Sequence, residues 1–141
     1  MQRFFLYSNP GKPETIQAVS DFADLLINKG CEVLLDGWLF DLLHKGKKTS
    51  PDQLDNNVQA VVCFGGDGTI LRILPYLAAR YIPVLGVNMG HTGFLLQVSP
   101  DELDGVLDRF IAQDYEIKER AMLSCEINGQ ATYLVMNEFA L

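Results

Sequence analysis

An uninterrupted apolar run that ends in a glycine-rich turn leaves this chain few possible folds. Residues 60–64 read Ala-Val-Val-Cys-Phe, and residues 65–69 continue as Gly-Gly-Asp-Gly-Thr. A strand without polar alternation is typical of a parallel sheet that helices cover on both faces. The glycine loop is therefore predicted at the carboxyl end of a buried strand, where open α/β sheets bind ligands.

Strand and helix patterns alternate along the first part of the chain. Apolar runs predict further strands at residues 3–7, 31–35 and 83–87. Apolar residues at helical spacing predict helices that begin at Pro13, Trp38, Thr69 and Ser99. This alternation predicts an α/β fold with a parallel sheet and helices on both faces.

Three local signals refine this prediction. Ser99 and Glu102 form a capping-box pattern, which marks a helix start. Pro75 predicts a kink or an early end in the helix of residues 69–80. The polar segment 45–57 is predicted to be an exposed loop.

The pattern changes after Asp114. Residues 122–127 and 130–136 resemble two strands joined by Asn128-Gly129, a strong two-residue hairpin signal. We therefore predict an α/β domain over residues 1–116 and the start of an all-β domain over 117–141. Because two strands alone are marginally stable, the chain is expected to be the front part of a longer protein.

Composition narrows the class of protein. The formal net charge of −7 argues against non-specific nucleic-acid binding, which needs a basic face. The three cysteines include no CxxC pair, so we expect reduced thiols that pack like small hydrophobes in a cytoplasmic protein. The start of the chain lacks the pattern of a signal peptide, and no apolar run approaches the roughly 20 residues that span a membrane.

The glycine loop can serve phosphoryl transfer. Its glycines allow a ligand to approach the backbone, and the start of the following helix favours anions. Asp67 can accept the proton of a hydroxyl that attacks phosphorus. The alternative is a tight turn in which Asp67 only caps the helix. The sequence contains neither a P-loop motif nor GxGxxG after the first strand.

Other candidate residues lie in or near glycine-rich turns and strand ends. Phe94 follows the glycines of segment 86–93 and either stacks on a base or packs in the core. Arg72 either contacts a phosphate or is an ordinary exposed helix residue. Asn137 and Glu138 end the second hairpin strand, where a solvated strand end is the default.

Taken in order, these segments resemble the NAD kinase family. Its hallmarks are a GGDGT loop, here residues 65–69, a G-x-N-x-G-x-L-G-F segment, here 86–94, and a later Asn-Glu pair, here 137–138. Residues 9–14 also look like the N-terminal turn of the family. The resemblance covers essentially the whole chain. Thr92 departs from the pattern, since it stands where the family usually has leucine.

The resemblance implies ATP-dependent phosphorylation of the adenosine-ribose 2′-hydroxyl of NAD, giving NADP, with a divalent metal, usually magnesium. Asp67 would be the general base. The residues implied in substrate binding are Gly66, Gly68, Thr69, Arg72, Phe94, Asn137 and Glu138, and no metal ligands are assigned. In this family an all-β C-terminal domain and often contacts in a homo-oligomer (dimer or tetramer) complete the site. Residues 1–141 alone are therefore expected to bind weakly without turnover.

Two alternatives remain at this point. Diacylglycerol and sphingosine kinases resemble the chain at GGDGT, and phosphofructokinases have a similar loop. Lipid kinases, however, are expected to carry a P-x-G-T-x-N-D segment where this chain has residues 86–94. A non-catalytic nucleotide sensor would keep the glycines but would not need Asp67.

Overall fold

The computed structural model describes residues 1–90, 93–96, 98–127, 129 and 131–136. The strands in these ranges are β1 (Arg3–Ser8), β2 (Glu32–Asp36), β3 (Lys47–Thr49), β4 (Ala60–Gly65), β5 (Val84–Asn88), β6 (Leu123–Ile127) and β7 (Ala131–Val135). The α-helices are α1 (Ile16–Asn28), α2 (Gly37–Leu43), α3 (Asp67–Leu77) and α4 (Leu103–Ile111).

The first five strands form one parallel sheet in the order β3-β2-β1-β4-β5. The chain runs outward from β1 through β2 to β3, then returns to the other side of β1 for β4 and β5. The strand order therefore reverses between β1 and β4. This is the topological switch point, at which open α/β sheets bind ligands.

Helices cover both faces of the sheet, as predicted. Successive strand residues point to opposite faces, so Phe4 and Leu6 pack on one side while Phe5 and Tyr7 pack on the other. The first side is covered by α1 and α4 and the second by α3. Strand β4 is buried at all six positions, which explains its lack of polar alternation.

Most predicted elements lie within a few residues of their expected bounds. The capping box is present: Ser99 caps a short 3₁₀ turn that leads into α4, and Glu102, the last residue of that turn, bonds back to Ser99. Helix α3 passes Pro75 and ends at Leu77, where a 3₁₀ turn follows.

The prediction of an exposed loop over residues 45–57 is wrong in part. Lys47–Thr49 forms an edge strand, because its backbone pairs with β2 and two ion pairs hold its side chains. Lys47 pairs with Glu32, and Lys48 lies 2.7 Å from Asp41. The hydrogen bonds and charges of a neighbouring strand thus override a polar local sequence.

Strands β6 and β7 form a separate antiparallel pair, with Cys125 opposite Tyr133. Asn128 of the predicted turn lies outside the described residues. Cys31 and Cys63 are buried as expected, whereas Cys125 is half-buried. In the described part of the chain, no helix is long and apolar enough to cross a membrane.

Candidate functional site

The glycine loop joins the buried strand β4 to α3, and its first glycine is required by the fold. Gly65 has a φ of +151°, a region that residues with side chains rarely adopt. A Cβ atom there would lie 2.3 Å from Oγ1 of Thr69, whose side chain is buried against this turn. Thr69 therefore has a packing role in addition to the ligand role that was predicted for it.

Gly66 and Gly68 differ from Gly65, because the protein itself does not need them to be glycines. A Cβ atom at either position would meet no atom within 4 Å, and neither residue has a positive φ. Gly68 is exposed, and Gly66 is half-buried. The loop therefore keeps open space beside its backbone, as expected where a ligand approaches closely.

Asp67 is the first residue of α3 and is partly exposed. Its carboxylate accepts two hydrogen bonds from the second glycine-rich segment. The backbone N–H of Phe94 donates to Oδ2 at 2.9 Å, and that of Leu95 donates to Oδ1 at 3.0 Å. The N-cap position of α3 is Gly66, which offers no side chain to cap the helix. The two bonds of the Asp67 side chain therefore run to the second glycine-rich segment, a role beyond that of a helix cap.

Two glycines let the second segment approach Asp67 and the sheet. A Cβ atom on Gly93 would lie 2.6 Å from Oδ1 of Asp67. A Cβ atom on Gly86 would lie 2.8 Å from both the side chain of Ile70 and the carbonyl oxygen of Leu95. Side chains at these positions would push the segment away, so the glycines bring both motifs together.

Phe94 is 92% exposed, so the alternative that it packs in the core is wrong. Its backbone is held by Asp67 while its ring lies in solvent. An aromatic ring held beside a carboxylate in this way is available to stack on a base.

Arg72 lies on α3 and reaches across the switch point to the turn that follows β1. Its Nη1 donates to Oδ1 of Asn9 at 3.0 Å, and the backbone N–H of Gly11 donates to the same oxygen at 3.0 Å. Sequence reasoning did not select Asn9 as a site residue. The sequence shows only that Asn9 follows a predicted parallel strand, and the structure adds that β1 lies beside β4, so that their carboxyl ends meet at one sheet edge.

The remaining predicted residues, Asn137 and Glu138, lie outside the described part of the chain. Thr92, which departs from the family pattern, also lies outside it. Among the described residues, no group of three or more His, Cys, Asp or Glu side chains could hold a metal ion.

Comparison with curated proteins shows relatives along nearly the whole chain. It is 35% identical to the NAD kinase of Methanosphaera stadtmanae over 99% of this chain and 50% of that protein. It is 32% identical to NAD kinase 2 of Streptomyces avermitilis over 97% of this chain and 48% of that protein. The chain thus spans about half the length of the curated relatives it matches.

Solved structures share the fold. Yeast NADH kinase complexed with NADH aligns with a TM-score of 0.79 at 18% identity, covering 96% of this chain and 46% of that one. An NAD kinase from Archaeoglobus fulgidus in complex with ATP aligns with a TM-score of 0.52 at 27% identity, covering 88% of this chain and 41% of that one. The family model described as the ATP-NAD kinase N-terminal domain matches residues 4–115. The chain therefore belongs to the ATP-NAD kinase family.

Proposed function

We propose that the full-length protein is an NAD kinase, which transfers a phosphoryl group from ATP to the 2′-hydroxyl of the adenosine ribose of NAD and gives NADP. The observation that carries this proposal is the Asp67 carboxylate, held between the open glycines Gly66 and Gly68 at the carboxyl end of the sheet. Family membership supports the choice of substrates. Because the chain spans about half the length of its relatives, the activity is proposed for the whole protein.

Asp67 is proposed as the general base on the attacking hydroxyl. An ionised carboxylate has about four acceptor positions on its two oxygens. The backbone N–H groups of Phe94 and Leu95 use one position on each oxygen. An acceptor position therefore remains on either oxygen, and the two bonds fix the direction in which the carboxylate points.

The other predicted residues keep binding roles in this proposal. Gly66 and Gly68 leave room for the nucleotide, and the exposed ring of Phe94 stacks against it. Arg72 contacts a phosphate. Thr69 shapes the loop through its packing against Gly65. Further polar contacts to the nucleotide are proposed for Asn137 and Glu138.

The proposal includes a divalent metal, magnesium, that accompanies the ATP phosphates. Magnesium in such sites keeps several waters and takes one or two carboxylates together with substrate phosphates. Asp67 is the only acidic residue of the glycine loop, and the described residues do not build a metal site by themselves. We therefore assign no chemical step to the metal.

The proposal extends to the organisation of the protein. We propose an α/β domain over residues 1–116, the start of an all-β domain over 117–141, and a homo-oligomer, dimer or tetramer. We also propose a cytoplasmic location without nucleic-acid or membrane partners. The acidic net charge supports the absence of a nucleic-acid partner, since non-specific nucleic-acid binding needs a basic face.

The direct test is the production of NADP by the full-length protein supplied with ATP, magnesium and NAD. Asp67→Asn is expected to lower the rate by about 10²- to 10⁴-fold, because a general base contributes on that order. Asparagine also has one oxygen in place of two, so one of the two backbone N–H groups loses its acceptor. NAD binding to the variant must therefore be measured beside turnover.

Asp104→Asn is the matched control, since Asp104 lies in the first turn of α4, as Asp67 does in α3. Loss of turnover with NAD binding retained supports the base role, provided that the control remains active. A wild-type protein that binds NAD without making NADP would instead be a sensor. An Asp67→Asn variant with wild-type turnover would refute the base role.

A further inference from the structure

We propose that Asn9 is a positioning residue, which holds the Arg72 guanidinium at the switch point so that it receives the phosphates of the phosphoryl donor. This inference rests on the proposed kinase function. It adds a residue from the turn after β1 to the site. It also assigns the two sides of the glycine loop to different substrates.

The Asn9 side chain is held in place by its own turn. The carbonyl oxygen of Asn9 accepts a bond from Lys12 N–H at 2.9 Å, while its side-chain oxygen accepts from Gly11 N–H. The hydroxyl of Thr15 donates to the carbonyl oxygen of Lys12 at 2.8 Å and lies 2.5 Å from the hydroxyl of Ser8. Ser8 and Thr15 are fully buried. The acceptor that meets Arg72 is therefore fixed to the core.

The guanidinium keeps its positive charge available. Six basic side chains among the described residues form ion pairs with carboxylates: Arg3, Lys29, Lys45, Lys47, Lys48 and Arg109. Arg72 instead bonds the neutral amide of Asn9, and no carboxylate within the described ranges forms an ion pair with it. A guanidinium has five N–H donors. An exposed Arg72 that uses one of them can offer the others to an anion.

The two sides of the loop carry opposite charges. Asp67 bonds the segment that follows β5, whereas Arg72 bonds the turn that follows β1. Because β4 lies between β1 and β5, the carboxylate and the guanidinium face opposite neighbours of the loop. Phosphoryl transfer places the attacking and leaving oxygens roughly in line on opposite sides of phosphorus. The acceptor hydroxyl therefore lies on the β5 side with Asp67, and the donor phosphates lie on the β1 side with Arg72.

The test measures binding of ATP and of NAD, separately, to the full-length protein by titration calorimetry. Asn9→Ala is expected to weaken ATP binding by about three- to tenfold, since an untethered arginine must be immobilised on binding. Arg72→Met is expected to weaken ATP binding by about ten- to a hundredfold, because it removes a charge-assisted hydrogen bond, whose loss changes affinity by about that factor. The affinity for NAD is expected to stay within about twofold in both variants.

A double variant separates positioning from a general structural effect. If Asn9 acts through Arg72, the Asn9→Ala/Arg72→Met protein binds ATP no more weakly than Arg72→Met alone. In turnover, Asn9→Ala is expected to raise the KM for ATP by a larger factor than it lowers kcat. Asn57→Ala is the control, because Asn57 lies in an exposed turn at the amino end of β4.

The outcomes distinguish this inference from the proposed function. Unchanged ATP affinity in Asn9→Ala, equal losses of ATP and NAD affinity, or additive effects in the double variant would each overturn the positioning role. A wild-type protein that still makes NADP would then keep its kinase function. If the wild type binds neither nucleotide, both proposals fail.

Discussion

Gly68→Ala is expected to make the protein more stable and less active. Gly68 is the second residue of α3, is exposed, and has no positive φ. A Cβ atom there would meet no protein atom within 4 Å. The added methyl group therefore costs the free protein nothing, whereas it occupies space that the proposed nucleotide needs.

The size of each effect follows from this geometry. Alanine is favoured over glycine inside a helix by up to about 1 kcal/mol, partly because glycine leaves the unfolded chain more freedom. Near a helix start we expect about half of that gain, or a Tm higher by about 1 to 2 °C. An extra methyl in a packed contact costs about 1 to 3 kcal/mol. That range corresponds to a loss of about 5- to 150-fold in kcat/KM for NAD.

The assay pairs thermal unfolding with steady-state turnover in the full-length protein. Gly105→Ala provides the control, because Gly105 is exposed on α4 and its Cβ would also meet no atom within 4 Å. It should gain similar stability without loss of activity. Wild-type kcat/KM in Gly68→Ala would refute the close approach of a ligand at residue 68. A lower Tm would refute the open space described there.

Three further variants test other parts of the structure. Gly65→Ala places a Cβ 2.3 Å from the Thr69 hydroxyl at a positive φ, and it should lower the free energy of unfolding by about 1 to 3 kcal/mol in urea titrations. Phe94→Ala removes a ring that is 92% exposed, so the free energy of unfolding should change by less than about 0.5 kcal/mol. A stacking role predicts NAD affinity lower by about 5- to 150-fold in that variant, and unchanged affinity would refute it. Hydrogen bonds from the backbone N–H and the hydroxyl of Ser99 hold the pKa of Glu102 below its usual range. This stabilisation is present above the ordinary carboxyl pKa of about 4.3 and is lost as pH falls through the lowered value. Glu102→Ala should therefore lower Tm at pH 7, and the difference should shrink in acid; a difference independent of pH would contradict the ionic contribution.

The parts of the fold that the sequence predicts well are those in which burial determines the residues. Strand β4 lies in the middle of the sheet and is buried throughout, so its five apolar residues identify it. Strand β3 lies at an edge, and its sequence Lys-Lys-Thr gives no local sign of a strand. Its stability comes from pairing with β2, including Leu34 opposite Lys47, which only the tertiary fold provides.

The same distinction between local sequence and tertiary contacts applies to the candidate site. The glycine loop and its position after a buried strand follow from local sequence, and the resemblance to NAD kinases selects Asp67. The bond between Asn9 and Arg72 joins residues 63 positions apart, and no local pattern identifies it. The bonds from Phe94 and Leu95 to Asp67 likewise depend on how β5 lies beside β4.

Five glycines of the two motifs fall into two physical classes that the sequence alone does not separate. Gly65, Gly86 and Gly93 allow the protein to contact itself, because a side chain at any of them would collide with neighbouring protein atoms. Gly66 and Gly68 have open space around them, and the free protein would accept a side chain at either. Substitutions in the first class should therefore act through folding and the position of Asp67. Substitutions in the second should weaken nucleotide binding without destabilising the free protein, so binding measurements on stable variants distinguish the two classes.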